Sequence, residues 1–173
     1  MPMFRRVPLA LTLVLLLGGC MSGQSDKEAN APLPRMTKEK AEAWAKHWTE
    51  SMARTAKAEI APGTATANFT NCLGKKNESA DDGRFTLSYN ARVKLPKKQH
   101  AEAIRAIRDA LKKQGFEIVG YRSDSKQKPA NLVDAKHPTD HQFVSAGDVT
   151  DELLTLVVST PCLLPPDAKQ QEF

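Results

Sequence analysis

Side-chain types and spacing suggest chemistry at three places in this 173-residue chain: a histidine pair, a serine–lysine spacing and three cysteines. In His137-Pro138-Thr139-Asp140-His141, a tight turn would set two imidazoles side by side, with Asp140 or Asp134 as an oxygen ligand. Pro138 excludes a helical H-x-x-x-H, and zinc catalysis would also need a third firm ligand and a general base. Neither is evident, so the expected reading is a surface turn between two strands, with no metal and no cofactor. Ser123-Asp124-Ser125-Lys126 has the S-x-x-K spacing of a serine nucleophile and its lysine. Such a serine must open a buried helix, whereas Ser123 enters the polar loop SDSKQKPAN. His47 and His100 fall on helical stretches with no acidic or nucleophilic companion nearby in sequence. There is no G-x-S-x-G, P-loop, H-E-x-x-H or paired C-x-x-C. No catalytic residue is assigned.

What Cys20 does depends on what precedes it. Arg5 and Arg6 are followed by an apolar run from Val7 to Leu17. That is well short of the ~20 residues of a spanning helix and has the length of a signal-peptide core. Leu17-Gly18-Gly19-Cys20 resembles the lipobox of bacterial lipoproteins. The resemblance implies that the Cys20 sulfur receives a diacylglyceryl group, that cleavage falls before it, and that lipid on Cys20 holds the mature chain on the membrane. Two acyl chains anchor stably, so no transmembrane helix is required. The alternatives are a cleaved signal with an incidental cysteine and an uncleaved short anchor. Arg5-Arg6 leaves twin-arginine export open beside the general secretory route.

With Cys20 lipidated, Cys72 and Cys162 are left as the one intramolecular pair. Export places them where disulfides form, which implies one bond closing a loop of about 90 residues, with two buried free thiols as the alternative. The formal charge of the chain is +5, and Arg5 and Arg6 carry two of these charges away with the signal, so the mature chain stands near +3. That is no nucleic-acid-binding excess. From Arg92 to Lys128 there are eleven Lys/Arg against four Asp/Glu, and from Pro129 onward two against seven. Pairing between these two segments within the fold is expected, with a basic partner-facing surface as the alternative.

The elements follow from periodicity. Thr37 caps a helix reaching about Ala58, with Ala41, Trp44, Trp48 and Met52 on one stripe. Thr66 to Cys72 forms a short strand and Gly74 to Gly83 a polar loop. Arg84 to Leu95 alternates apolar and polar residues, as a strand with one face in water does. Pro96 opens a second helix with Ile104, Ile107 and Leu111 inward and Gly115 at its stop. Lys97, Lys98, Arg105, Arg108, Lys112 and Lys113 line its remainder, a solvated face or an anion-facing surface. Strands then follow at Phe116–Tyr121, Asn131–His137, His141–Val149 and Leu153–Ser159. The order α-β-β-α-β-β-β-β predicts a two-layer α+β domain, two helices on one face of a mostly antiparallel sheet. The divisions are a signal peptide at 1–19, lipidated Cys20 with a flexible tether to 35, one α+β domain at 36–166 and a C-terminal tail at 167–173.

Together the lipobox, the polar tether, the strand-helix-strand unit ending in Gly115-Phe116 and the final strand running into Thr160-Pro161-Cys162 resemble small secreted lipoproteins of streptomycete-type actinobacteria. That group carries no assigned activity. The expected function is a non-enzymatic binding or interaction module on the extracytoplasmic face of the membrane, inhibitor and immunity roles included. Its partner is a protein or an anionic cell-envelope polymer, with no nucleic acid. The competing expectation is a small, metal-dependent envelope hydrolase using the His137/His141 turn.

Overall fold

The computed structural model describes residues 31–173. The expected signal peptide, Cys20 and most of the expected tether lie outside the described residues.

Helix α1 spans Lys38–Thr55 and starts where the spacing predicts: the Thr37 hydroxyl accepts from the Lys40 N–H at 3.2 Å, with Glu39 in the first turn. Loss of such a cap costs about 1 kcal/mol, so Thr37→Ala should lower the urea midpoint modestly without changing the slope. The helix stops earlier than expected, because Ala56 caps it and Lys57 turns left-handed at φ 54. The released chain forms a two-residue strand, β1 (Glu59–Ile60), too short for periodicity to reveal. Then come β2 (Thr66–Asn71), β3 (Phe85–Lys94), α2 (Lys97–Lys113), β4 (Glu117–Ser123), β5 (Asn131–Lys136), β6 (Phe143–Thr150) and β7 (Leu153–Ser159). They build one seven-stranded sheet in the order β1-β3-β7-β6-β5-β4, with β2 also paired to β3. Every strand pairing is antiparallel, and the class is α+β.

Alternation explains the two layers. Phe85, Leu87 and Val93 of β3, Leu154, Leu156 and Val158 of β7, and Val133 and Val144 point to one face and are buried. On them lie Ala41, Ala45, Met52 and Ala53 of α1 and Ile104, Ile107 and Leu111 of α2, forming one core. Trp44 and Trp48 pack partly buried against it, and the Trp48 ring meets Phe116 edge-on at 4.8 Å. The residues between, such as Ser88, Asn90 and Thr155, make the opposite face, where Thr70 and Thr86 share a hydroxyl contact at 2.8 Å.

Antiparallel register gives the sheet two ends. At the near end, Ser88, Ser159, Phe143 and Lys136 lie side by side across the strands; at the far end stand Lys94, Leu153 and Thr150. The chain enters at the near end, where Arg35 bridges Leu164 and Met36 N–H donates to the Leu164 carbonyl at 3.0 Å. The last residues of the expected tether are held. Leu33 N–H donates to Gln170 Oε1 and Gln170 Nε2 to the Ala31 carbonyl, each at 2.9 Å. Arg35 Nη1 donates to the carbonyls of Pro166 and Ala168 at 2.7 and 2.8 Å. The segment 167–173, which has no core-forming pattern, is therefore strapped to the domain by polar contacts. Cys72 and Cys162 form the expected disulfide, 90 residues apart in sequence.

Candidate functional site

At the far end, ionisable groups gather around a concavity. Helix α2 begins there on Pro96, with no side-chain cap and no acid in its first turn. Lys97 Nζ meets Asp151 of the β6–β7 turn at 2.8 Å, both groups well exposed. The hydrogen bond to Asp151, together with its charge, raises the Lys97 ammonium above its ordinary value. One turn along, His100 is 1% exposed. Its Nδ1 lies 2.9 Å from Asp148 Oδ1 and its Nε2 2.7 Å from the Leu95 carbonyl. The other carboxylate oxygen of Asp148 accepts from Asn131 N–H at 2.9 Å and Nδ2 at 3.0 Å. This network joins the β3–α2 connection, α2, β6 and β5 at one point.

Above it lies a cavity of about 500 Å³ walled by Lys97 and His100, by Ser125, Gln127 and Lys128 of the β4–β5 loop, and by Thr150 and Asp151. A second, of about 630 Å³, lies toward Lys94, Leu95 and Leu153 and shares Lys97, Thr150 and Asp151 with the first. The two make a groove across the far end with the Lys97–Asp151 pair in it. Its walls offer ammonium, hydroxyl and amide groups, the equipment for holding a polar ligand. Both His100 nitrogens are occupied, Nδ1 by Asp148 and Nε2 by the Leu95 carbonyl. Neither nitrogen is left to take a proton from a substrate.

The chain matches no family model, no curated protein and no solved structure. The reading of the groove therefore rests on its own geometry.

The other candidate residues are distributed as follows. His137 N–H donates to the Gln142 carbonyl at 2.8 Å, and His141 N–H to the His137 carbonyl at 3.0 Å, so the turn closes on its own backbone. His137 Nδ1 accepts from Asp140 N–H at 3.3 Å, and its ring meets Phe116 at 5.1 Å. Among the described residues no group of three or more His, Cys, Asp or Glu is placed to hold a metal ion. Ser123 ends β4 and donates to Asn131 Oδ1 at 3.3 Å, while Lys126 sits in a turn, so the S-x-x-K spacing falls on no helix. On α2, Lys97 pairs with Asp151, and Arg108 pairs with Asp109 at 2.7 Å and lies over the Tyr121 ring at 4.4 Å. Lys98, Arg105, Lys112 and Lys113 are exposed along the helix, with Glu102 and Asp109 exposed among them. Contacts of Lys97 and His100 with Asp151 and Asp148 join the basic middle of the chain to its acidic last part.

His100 had a usable signal. It stands four residues before Ile104 and seven before Ile107, on the apolar stripe of α2, where a polar ring needs buried partners. Replacing it with alanine leaves the Leu95 carbonyl without its ring partner and Asp148 Oδ1 with only the longer Asn131 Nδ2 contact at 3.3 Å, a loss of about 1–3 kcal/mol. His100→Ala should also speed amide exchange in the first turn of α2 and at Asn131, with little change in the N-terminal half of α1. Uniform acceleration would place the network's role elsewhere.

Proposed function

We propose that this chain is a lipoprotein held on the extracytoplasmic face of the membrane by lipid on Cys20. Its domain is a non-enzymatic binding module that presents the far-end groove to a protein or an anionic envelope polymer. One observation carries the reading: the chain enters the sheet at the end opposite the groove, so an anchored domain holds the groove away from the membrane. Two further facts support it. The Cys72–Cys162 bond suits an exported protein, and the groove's ammonium and carboxylate groups, set beside hydroxyls and amides, suit a polar partner surface.

Labelled palmitate should enter the protein, and Cys20→Ala should abolish both labelling and signal cleavage. Normal processing of Cys20→Ala would defeat the anchor. For the groove, a photo-crosslinking residue in place of Gln127 should capture an envelope component in intact cells, and one in place of Asp140, in the near-end turn, should not. Capture from position 140 alone would reverse the orientation.

A further inference from the structure

The strap at the C-terminal end of the described chain is read by a built site. Asp82 and Arg84 flank Gly83 before β3, and their side chains are 0% and 1% exposed. Arg84 Nε donates to both Asp82 oxygens, at 2.8 and 3.0 Å. The pair then takes one residue of the strap from both sides: Asp82 Oδ2 accepts from Gln171 N–H at 3.0 Å, and Arg84 Nη2 donates to the Gln171 carbonyl. Two residues on, the Phe173 ring lies over the guanidinium, 4.3 Å from Cζ to the ring centre. The same ring lies close to Gly74, where an added Cβ would stand 2.9 Å from Phe173 Cγ and closer still, at 2.6 Å, to Glu78 Cδ. Glu172, between them, is exposed.

We propose that Asp82, Arg84 and Gly74 form a recognition site for an extended peptide segment carrying an aromatic side chain two residues after the one whose backbone is bonded. Gln171–Phe173 occupies it in cis. The inference is independent of the lipid anchor and of the groove. Three features separate site from occupant. The strap has no helix or strand to lose on leaving, and it follows Pro165-Pro166. The contacts to Gln171 and to the Phe173 ring are made to one backbone unit and one aromatic face, a pattern that a separate segment can supply. Arg84 Nη1, buried, makes no hydrogen bond, so the site holds a donor that the strap does not use. An occupant with an acceptor there would be held more firmly.

The test uses the full mature chain with Phe173→Ala, which weakens the strap and leaves the site intact. The probe is a fluorescein-labelled peptide of residues 167–173, DAKQQEF, beside the same peptide ending in alanine. The DAKQQEF peptide should bind the Phe173→Ala chain at least about tenfold more tightly than it binds the wild-type chain, whose own strap competes. The alanine peptide should bind neither. Equal binding of the two peptides, or no binding to folded Phe173→Ala up to about 1 mM, would overturn the proposal. So would failure of Phe173→Ala to fold, since the strap would then be part of the fold and no ligand of it.

Discussion

Asp82→Asn should cost about 3 kcal/mol of unfolding free energy at neutral pH. Removing one partner of a buried ion pair leaves the other charge buried and uncompensated, typically a loss of about 3–5 kcal/mol. The lower value is expected because the strap over this pair is at the surface, where water reaches a loosened Arg84 easily. The pH dependence gives the assignment its own check. The hydrogen-bonded Arg84 guanidinium holds the Asp82 carboxyl far below the ordinary carboxylate range, against the opposing effect of burial; the N–H groups of Gln171 and Arg84 act in the same direction as the guanidinium. A depressed folded-state value means that the stabilisation is complete above the unfolded value, about 3.9, and is lost as pH falls below it. Urea midpoints of wild type and Asp82→Asn should therefore lie far apart at pH 7 and draw together below about pH 4. Parallel curves across that range would show that Asp82 is not the group responsible.

The fold was legible wherever one apolar period ran long enough. Alternation over Phe85–Lys94 announced a half-covered strand, and the stripe of Ile104, Ile107 and Leu111 announced the helix laid on it. Boundaries moved where a local closure outbid periodicity. Phe116 was expected to begin a strand, but its N–H donates to the Leu111 carbonyl at 3.0 Å after Gly115 turns at φ 88, so it finishes α2 and packs on Trp48. The β5–β6 turn likewise takes up His141 and Gln142, and β6 starts at Phe143.

The groups that now matter most were hidden for a different reason: their partners are remote in sequence. His100 and Asp148 stand 48 positions apart and meet because α2 runs back along the sheet from its far end. Asp82-Gly83-Arg84 reads as the end of a polar loop, and so it is until residues 171–173 cover it. That strap carries no apolar repeat; side chains bonding to backbone hold it, and hydropathy is blind to such bonds. The histidine turn shows the converse. Its residues are the expected ones, and the structure commits them to closing a loop.

Reducing the Cys72–Cys162 bond should lower stability by roughly 2–4 kcal/mol while leaving the domain folded in the cold. The bond links the end of β2 to the segment after β7, so β3, α2 and β4 to β7 all lie inside the closed loop. Opening it frees a 90-residue loop in the unfolded ensemble, for which chain entropy alone predicts about 4.6 kcal/mol. The measured effect should be smaller, because the reduced unfolded chain keeps residual structure and gains less freedom than an ideal chain would. In the folded state the same two segments stay joined by backbone, since Phe85 N–H donates to Leu163 at 2.9 Å and Leu163 N–H returns the bond to Phe85 at 2.7 Å. Core residues inside the loop, Leu87 and Val158 among them, are buried in the core shared with α1 and α2. Reduction therefore acts mainly on the unfolded chain, and the folded spectrum should hardly change. Urea curves of the protein with and without reductant, beside a Cys72→Ala/Cys162→Ala chain that reductant leaves unaffected, measure this directly. Identical midpoints for oxidised and reduced protein would mean that the bond constrains nothing. Loss of near-UV signal in the cold would mean that it holds the native packing itself.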